Sequence, residues 1–205
     1  MNEKRYKPNC TPKIDERRQW QSHMEMAKIG ATPGGGVCRL SLSDEDKVSR
    51  DLFVKWVEDA GCSVRIDKVG NIFARRAGEE DGLPPVMTGS HLDTQPLGGR
   101  FDGAYGVLAG LEVVRALNDA KVQTRHPLDI VVWTDEEGCR FTTKTMGSAV
   151  FAGLISQADV LNGVDPSGKR FGDELSRIGY AGSEPCGGFP IKAYFEAHIE
   201  QGPIL

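Results

Sequence analysis

The side chains with chemistry to offer fall in three short stretches. His91, Asp93 and Asp102 lie in SHLDTQPLGGRFDG, Glu136 and Glu137 in WTDEEGCRF, and His198 in FEAHIEQGP. Each stretch alone says little. A His-x-Asp pair arises by chance, a Glu-Glu pair is commonly a solvated surface, and a histidine on a strand is more often structural than a ligand. Together they suggest a metal. Neutral imidazoles with hard carboxylates suit a borderline divalent ion such as zinc. Burying several carboxylates beside apolar strands costs several kcal/mol for each unpaired charge. No run of Lys or Arg lies near them in the sequence to compensate.

The elements that must carry these residues are legible from periodicity. Val86 and Met87 open an apolar run that ends in Thr88, Gly89 and Ser90, just before His91. Beyond Asp102, the residues Val107, Leu108, Leu111, Val114 and Leu117 keep the spacing of one buried helical face. LDIVVW (128–133) is continuously apolar, as in a strand buried on both faces, and leads straight into Asp135, Glu136 and Glu137. Residues 191–199 alternate, with Ile191, Ala193, Phe195, Ala197 and Ile199 on one side and His198 on the other. All three stretches therefore sit at the carboxyl ends of strands, where ligands bind in open α/β sheets.

The rest of the chain supports that scaffold. A first helix is expected over 15–29 with a partly apolar stripe from Trp20, Met24 and Ala27 or Lys28. The glycine-rich 30–40 stretch lacks the Gly-Lys-Ser/Thr of a phosphate loop and reads as a flexible loop or lid. Ser43 is an N-cap, with Asp44, Glu45 and Asp46 in the first turn, and Leu52, Phe53, Trp56 and Val57 on the buried face. Gly61 suits the residue just past the helix end. Strands over 63–67 and 71–75 turn near Gly70-Asn71, and short helices fall within 145–161 and 171–178. His23 reads as packed or exposed, His126 as a surface histidine, and Cys139 lacks an unassigned histidine that would make it a nucleophile.

Composition narrows the class. Twenty-five basic and 29 acidic side chains give a net charge of −4, with no basic stripe of the kind that binds nucleic acid. No apolar stretch is long enough to span a membrane, and MNEKRYKPNC lacks the apolar region of a signal peptide. The five cysteines, odd in number and without a C-x-x-C pair, fit reduced thiols and a cytoplasmic location. Residues 1–14 read as a flexible arm and 15–205 as the N-terminal part of a domain. No closing element follows the 191–199 strand, so a further segment is expected.

The three stretches, in this order, resemble the motifs of the M20 metallopeptidase superfamily. Phe-Asp-Gly, Glu-Glu-Gly-x-Arg-Phe and His-Ile-Glu-Gln-Gly-Pro, with the N-terminal MEMAKIGATPGGGVCRLSLSD, look like its branch of N-carbamoyl-L-amino acid hydrolases, β-ureidopropionases and allantoate amidohydrolases. The resemblance implies an α/β fold of the zinc-exopeptidase type, a mixed sheet flanked by helices, incomplete at the C-terminus. It implies two divalent ions, zinc or manganese, cobalt or nickel, bridged by Asp102. His91 and His198 would complete one set of ligands and Glu137 would bind the other ion. Glu136 would be the general base and Asp93 would hydrogen-bond the second ring nitrogen of His91. Gln201 would lie near the substrate, and Arg140 and Phe141 would support the site. The reaction implied is hydrolysis of a linear amide or ureido C–N bond in a small N-carbamoyl or ureido substrate, by a homodimer. Members of the family continue into a lid and dimerisation domain and a returning segment that carries a further histidine ligand. The expectation for this chain taken alone is therefore at most one well-held ion and little or no activity. An M20 aminoacylase or dipeptidase is the alternative, and a metal-binding fragment or pseudoenzyme without activity is another.

Overall fold

Three parallel strands set the frame. In the computed structural model, which describes residues 11–141 and 143–200, β3 (Val86–His91) pairs in parallel with both β4 (Leu128–Trp133) and β5 (Ala193–Phe195). On the other side of β4 an antiparallel hairpin, β1 (Ser63–Ile66) and β2 (Ile72–Arg76), completes a mixed sheet of order β1-β2-β4-β3-β5. Parallel strands need a crossover, and α3 (Ala104–Asp119) supplies the one between β3 and β4. The chain is thus an α/β mixed sheet flanked by helices, as the resemblance implies.

Both faces of the sheet are covered. Ile72, Ala74, Ile130 and Val132 point to the larger core, where Leu108, Leu111 and Val114 of α3 meet Phe53 and Val57 of α2 (Asp44–Asp59). The alternate residues Phe73, Val131 and Trp133 join Met87, Phe151 and Phe189 on the opposite face. This two-sided burial is why β4 is apolar at almost every position. Ser43 caps α2 by accepting from the Asp46 amide, and Gly61 follows the helix with φ +83°. Three short helices, α4 (Met146–Phe151), α5 (Gln157–Asn162) and α6 (Phe171–Arg177), cover the region after β4.

Three expectations change. The helix α1 (Glu16–Met26), capped by Asp15, buries Ser22, His23 and Met26, whereas Trp20 is exposed. Its contact with α3 is polar: Arg18 forms a bidentate pair with the buried Glu112, and Arg115 donates to Ser22. An apolar stripe could not have revealed it. The glycine-rich 30–40 segment is no free lid, for Val37 pairs with Gly98 and the fully buried Arg39 donates to the carbonyls of Leu92 and Ile29. The last strand is three residues long, because the backbone leaves the ladder after Phe195 and runs toward α3. Residues 11–14 lie mostly exposed without regular structure, while the rest of the expected arm lies outside the described residues.

One buried amide ties the hairpin to the loop after β4. Asn71 accepts from the Thr134 amide (3.0 Å) and donates to Asp67 (2.8 Å) and to the Gly147 carbonyl (3.0 Å). Asn71→Ala orphans the Thr134 N–H and the Gly147 carbonyl inside the protein, so urea unfolding is expected to show a loss of about 3 kcal/mol. A loss under about 1 kcal/mol would mean that the loop after β4 is held by other contacts.

Candidate metal centre

Because β3, β4 and β5 run the same way, the chain emerges from all three at one edge of the sheet. His91 is the last residue of β3, paired with Trp133 in register, and Thr134 to Glu137 follow β4. His198 lies three residues past β5. Asp102 comes from the loop that enters α3, beside Gly103, whose positive φ (+63°) begins the helix.

These residues converge. His91 Nε2, His198 Nε2 and Asp102 Oδ1 stand 3.4, 3.4 and 3.9 Å apart. Ligand atoms about 2.0–2.1 Å from a tetrahedral zinc lie about 3.3 Å from one another, so the triangle has the size of one face of such a site. The proton positions agree. His91 Nδ1 lies 2.8 Å from the Asp93 carbonyl and His198 Nδ1 lies 2.7 Å from the Ile199 carbonyl. A carbonyl can only accept, so each Nδ1 carries a proton, and in a neutral ring the Nε2 lone pair is turned toward the other histidine. Two imidazole nitrogens and a carboxylate oxygen held this close make a good arrangement for a cation.

The remaining acids surround this triangle without joining it. Glu136 Oε2 is 3.5 Å from His91 Nε2. Glu137 accepts from Gln95 through Oε2, while its buried Oε1 has no hydrogen-bond partner among the described residues. A buried unpaired carboxylate oxygen is costly, and a nearby cation would offset that cost. Burial pulls the His91 pKa down, but the carboxylates of Asp93 and Glu136 outweigh it and the net direction is upward. The same field would draw in a divalent ion.

Asp93 plays a different part from the expected one. Its main-chain carbonyl, rather than its carboxylate, meets His91 Nδ1; the carboxylate lies 3.8 Å away. The carboxylate instead accepts from the amides of Glu136 and Glu137, both at 3.2 Å. The loop after β3 thereby holds the loop after β4. Asp135 at the bend has φ +54°, and burial followed by the nearby Asp93 charge pushes its carboxyl up to about 8.

Buried cations do come close, from parts of the chain that are distant in sequence. Arg39 sits on the Leu92 carbonyl, and Arg50 pairs with Asp46 while donating to the Gly70 carbonyl. Neither forms an ion pair with Asp102, Glu136 or Glu137. Sequence reasoning missed Arg39, Arg50 and Asn71; a charged i, i+4 pair on the apolar face of α2 was the one readable sign. Arg140, expected to support the site, donates to Asp165, Glu174 and the Ser41 carbonyl, none of them a site residue. Phe141 is fully buried against Phe171. His23 packs against Tyr105 and Phe101, and His126 reaches the Pro84 carbonyl. Cys38, Cys62, Cys139 and Cys186 are free thiols, and Gln201 lies outside the described residues. No helix among those residues is long and apolar enough to cross a membrane.

With this geometry in view, comparison with known proteins is decisive at the level of family. The family model described as Peptidase family M20/M25/M40 matches residues 87–205. The chain belongs to this family. It is 50% identical to an N-carbamoyl-L-amino-acid amidohydrolase of Rhizobium meliloti over 97% of this chain and 48% of that protein. A ureidoglycolate hydrolase of Oryza sativa subsp. japonica is 38% identical over 88% of this chain and 39% of its own. The crystal structure of a hydantoinase/carbamoylase family amidase from Burkholderia vietnamiensis superposes with a TM-score of 0.93 at 56% identity, covering 97% of this chain and 48% of that one. The chain spans about half the length of the curated relatives it matches. Family membership and fold agree with the resemblance read from the three stretches.

Two substitutions test the construction of the centre. A Cβ at residue 103 would lie 2.5 Å from three atoms of the His91 ring. Gly103→Ala is therefore expected to displace the imidazole and weaken zinc binding at least about tenfold, as read by competition with a chromophoric chelator; unchanged affinity would separate His91 from the metal site. Arg140→Met leaves Asp165 and Glu174 without their shared cation and should lower stability by about 3 kcal/mol at pH 7. Burial opposes the ionisation of both acids, yet hydrogen bonds and Arg140 win and hold both below the usual range. Such acids stabilise above their unfolded pKa and lose the contribution as pH falls through about 4 and below. The variant's acid limb in urea unfolding should accordingly be flatter than the wild type's.

Proposed function

We propose that this chain forms the metal-binding half of a hydrolase acting on linear amide or ureido C–N bonds, with N-carbamoyl-L-amino acids as the first substrate class. The observation that carries the reading is the triangle of His91, His198 and Asp102 with Glu136 beside it. The names of the relatives support the substrate class, carbamoyl compounds ahead of ureidoglycolate because the former share more identity.

His91, Asp102 and His198 would hold one divalent ion, and Asp102 and Glu137 would hold a second. Such ions supply Lewis acidity, polarising the scissile carbonyl and acidifying water nearby. Glu136 takes the proton from the attacking water and delivers it to the departing nitrogen, the role for which its free carboxylate beside the ligands suits it. Asp93 keeps the Glu136 and Glu137 amides fixed and, through its carbonyl, keeps the proton of His91 on Nδ1. Arg39 anchors the Leu92 carbonyl between His91 and Asp93. Among the described residues Asp102 and Glu137 are the groups placed to hold the second ion, so one ion should be held more firmly than the other.

Two measurements test this. Metal analysis of the purified chain should find about one zinc per chain, lost in His198→Ala and kept in Glu137→Ala. A chimera that places residues 1–205 ahead of the remaining half of the Rhizobium meliloti relative should release ammonia from an N-carbamoyl-L-amino acid. In that chimera Glu136→Gln should cut kcat by about 10²–10⁴ while leaving metal content intact. Preference for N-acetyl amino acids or dipeptides would replace the substrate class by that of an aminoacylase or dipeptidase. A chimera that folds and binds metal without hydrolysing any of them would leave a metal-binding module.

A further inference from the structure

Around the metal triangle one run of hydrogen bonds has no part in the chemistry proposed above. Trp133 Nε1 donates to the Tyr194 hydroxyl (2.9 Å), Tyr194 donates to Glu196 Oε2 (2.8 Å), and Ser90 donates to Glu196 Oε1 (2.5 Å). Partial burial raises the Tyr194 phenol pKa, the bond from Trp133 opposes the rise, and the Glu196 carboxylate adds to it. Both hydroxyls thus give their protons to one acceptor-only group. Ser90 precedes His91, whose register partner at the end of β4 is Trp133, and Ser90 is fully buried.

The segment that carries His198 needs such a tie. Its strand, β5, pairs with β3 over only Val86, Met87 and Thr88, two residues short of Ser90. Beyond Phe195 the backbone leaves the sheet, and the Ala197 carbonyl rests against Gly106 of α3, where a Cβ would come within 2.6 Å of it. Glu196 is the one side chain between β5 and His198 that reaches back to β3. We infer that Glu196 is the positioning residue of His198: its carboxylate, shared between Ser90 and Tyr194, fastens the segment after β5 and so sets His198 Nε2 against His91 and Asp102. The inference rests on the metal-site reading for its purpose and on the hydrogen-bond geometry for its existence.

The test measures hydrogen–deuterium exchange of the 191–200 segment in the metal-free chain, and zinc affinity in the same variants. Glu196→Ala should raise exchange in that segment at least about tenfold and weaken zinc binding about 10–100-fold. Tyr194→Phe should do the same to a smaller degree. Glu196→Gln, which still offers an acceptor and lets Ser90 turn to accept, should recover most of both effects; a role in mere bulk packing would not give this rescue. Phe195→Ala, a neighbouring exposed side chain, should leave both as in the wild type. Unchanged exchange in Glu196→Ala would overturn the inference, as would a Glu196→Gln variant as impaired as the alanine. A wild-type chain that binds no zinc would overturn the metal-site reading instead, and exchange would still decide whether Glu196 fastens the segment.

Discussion

The parallel alignment of β3, β4 and β5 is the constraint from which the site follows. In a parallel set every strand delivers its next residue to the same edge, so three loops that are distant in sequence are forced into one place. Residues 91, 134–137 and 198 have no other reason to meet. The alignment depends on α3, whose apolar face returns the chain across the sheet and whose first turn also brings in Asp102. A single helix thereby sets both the direction of β4 and the third corner of the triangle.

Gathering acids at one edge raises an electrostatic cost that the protein meets in several ways. Asp93 is satisfied by two backbone amides, Asp46 by Arg50, and Asp165 with Glu174 by Arg140. These are local solutions, each with short, directed hydrogen bonds. Glu137 accepts from Gln95 through one oxygen while its other oxygen has no hydrogen-bond partner among the described residues, and the Nε2 atoms of two histidines stand close to each other and to Asp102. The site is thus a place where two imidazoles and several carboxylates crowd together at one edge of the sheet.

Much of this could be read from the sequence because the scaffold is locally consistent. The N-cap at Ser43, the turn at Gly70, the buried β4 and the apolar face of α3 each follow from short-range rules, and the site residues stand at the ends of those elements. What escaped was long-range and polar. Arg18 with Glu112, Arg39 with the Leu92 carbonyl and Asn71 with Thr134 join positions that are 53 to 94 residues apart. No periodicity encodes such pairs, since a buried Arg or Asn looks like a surface residue until its partner is known. The expected strand over 191–199 failed for a related reason: alternation persists in the sequence, but Gly106 and Ser90 draw the backbone away from the ladder.

The brevity of β5 has a kinetic consequence. Two of the three corner groups stand on a buried strand and at a helix entrance, whereas the third hangs from a three-residue edge ladder. Local opening of a protein draws first on such weakly held elements, with a free energy far below that of global unfolding. An ion at this site would therefore escape by the peeling of the edge, one donor at a time, while the remaining two corners stay formed. Its residence time would report the opening frequency of β5, and its capture would in turn hold that edge closed.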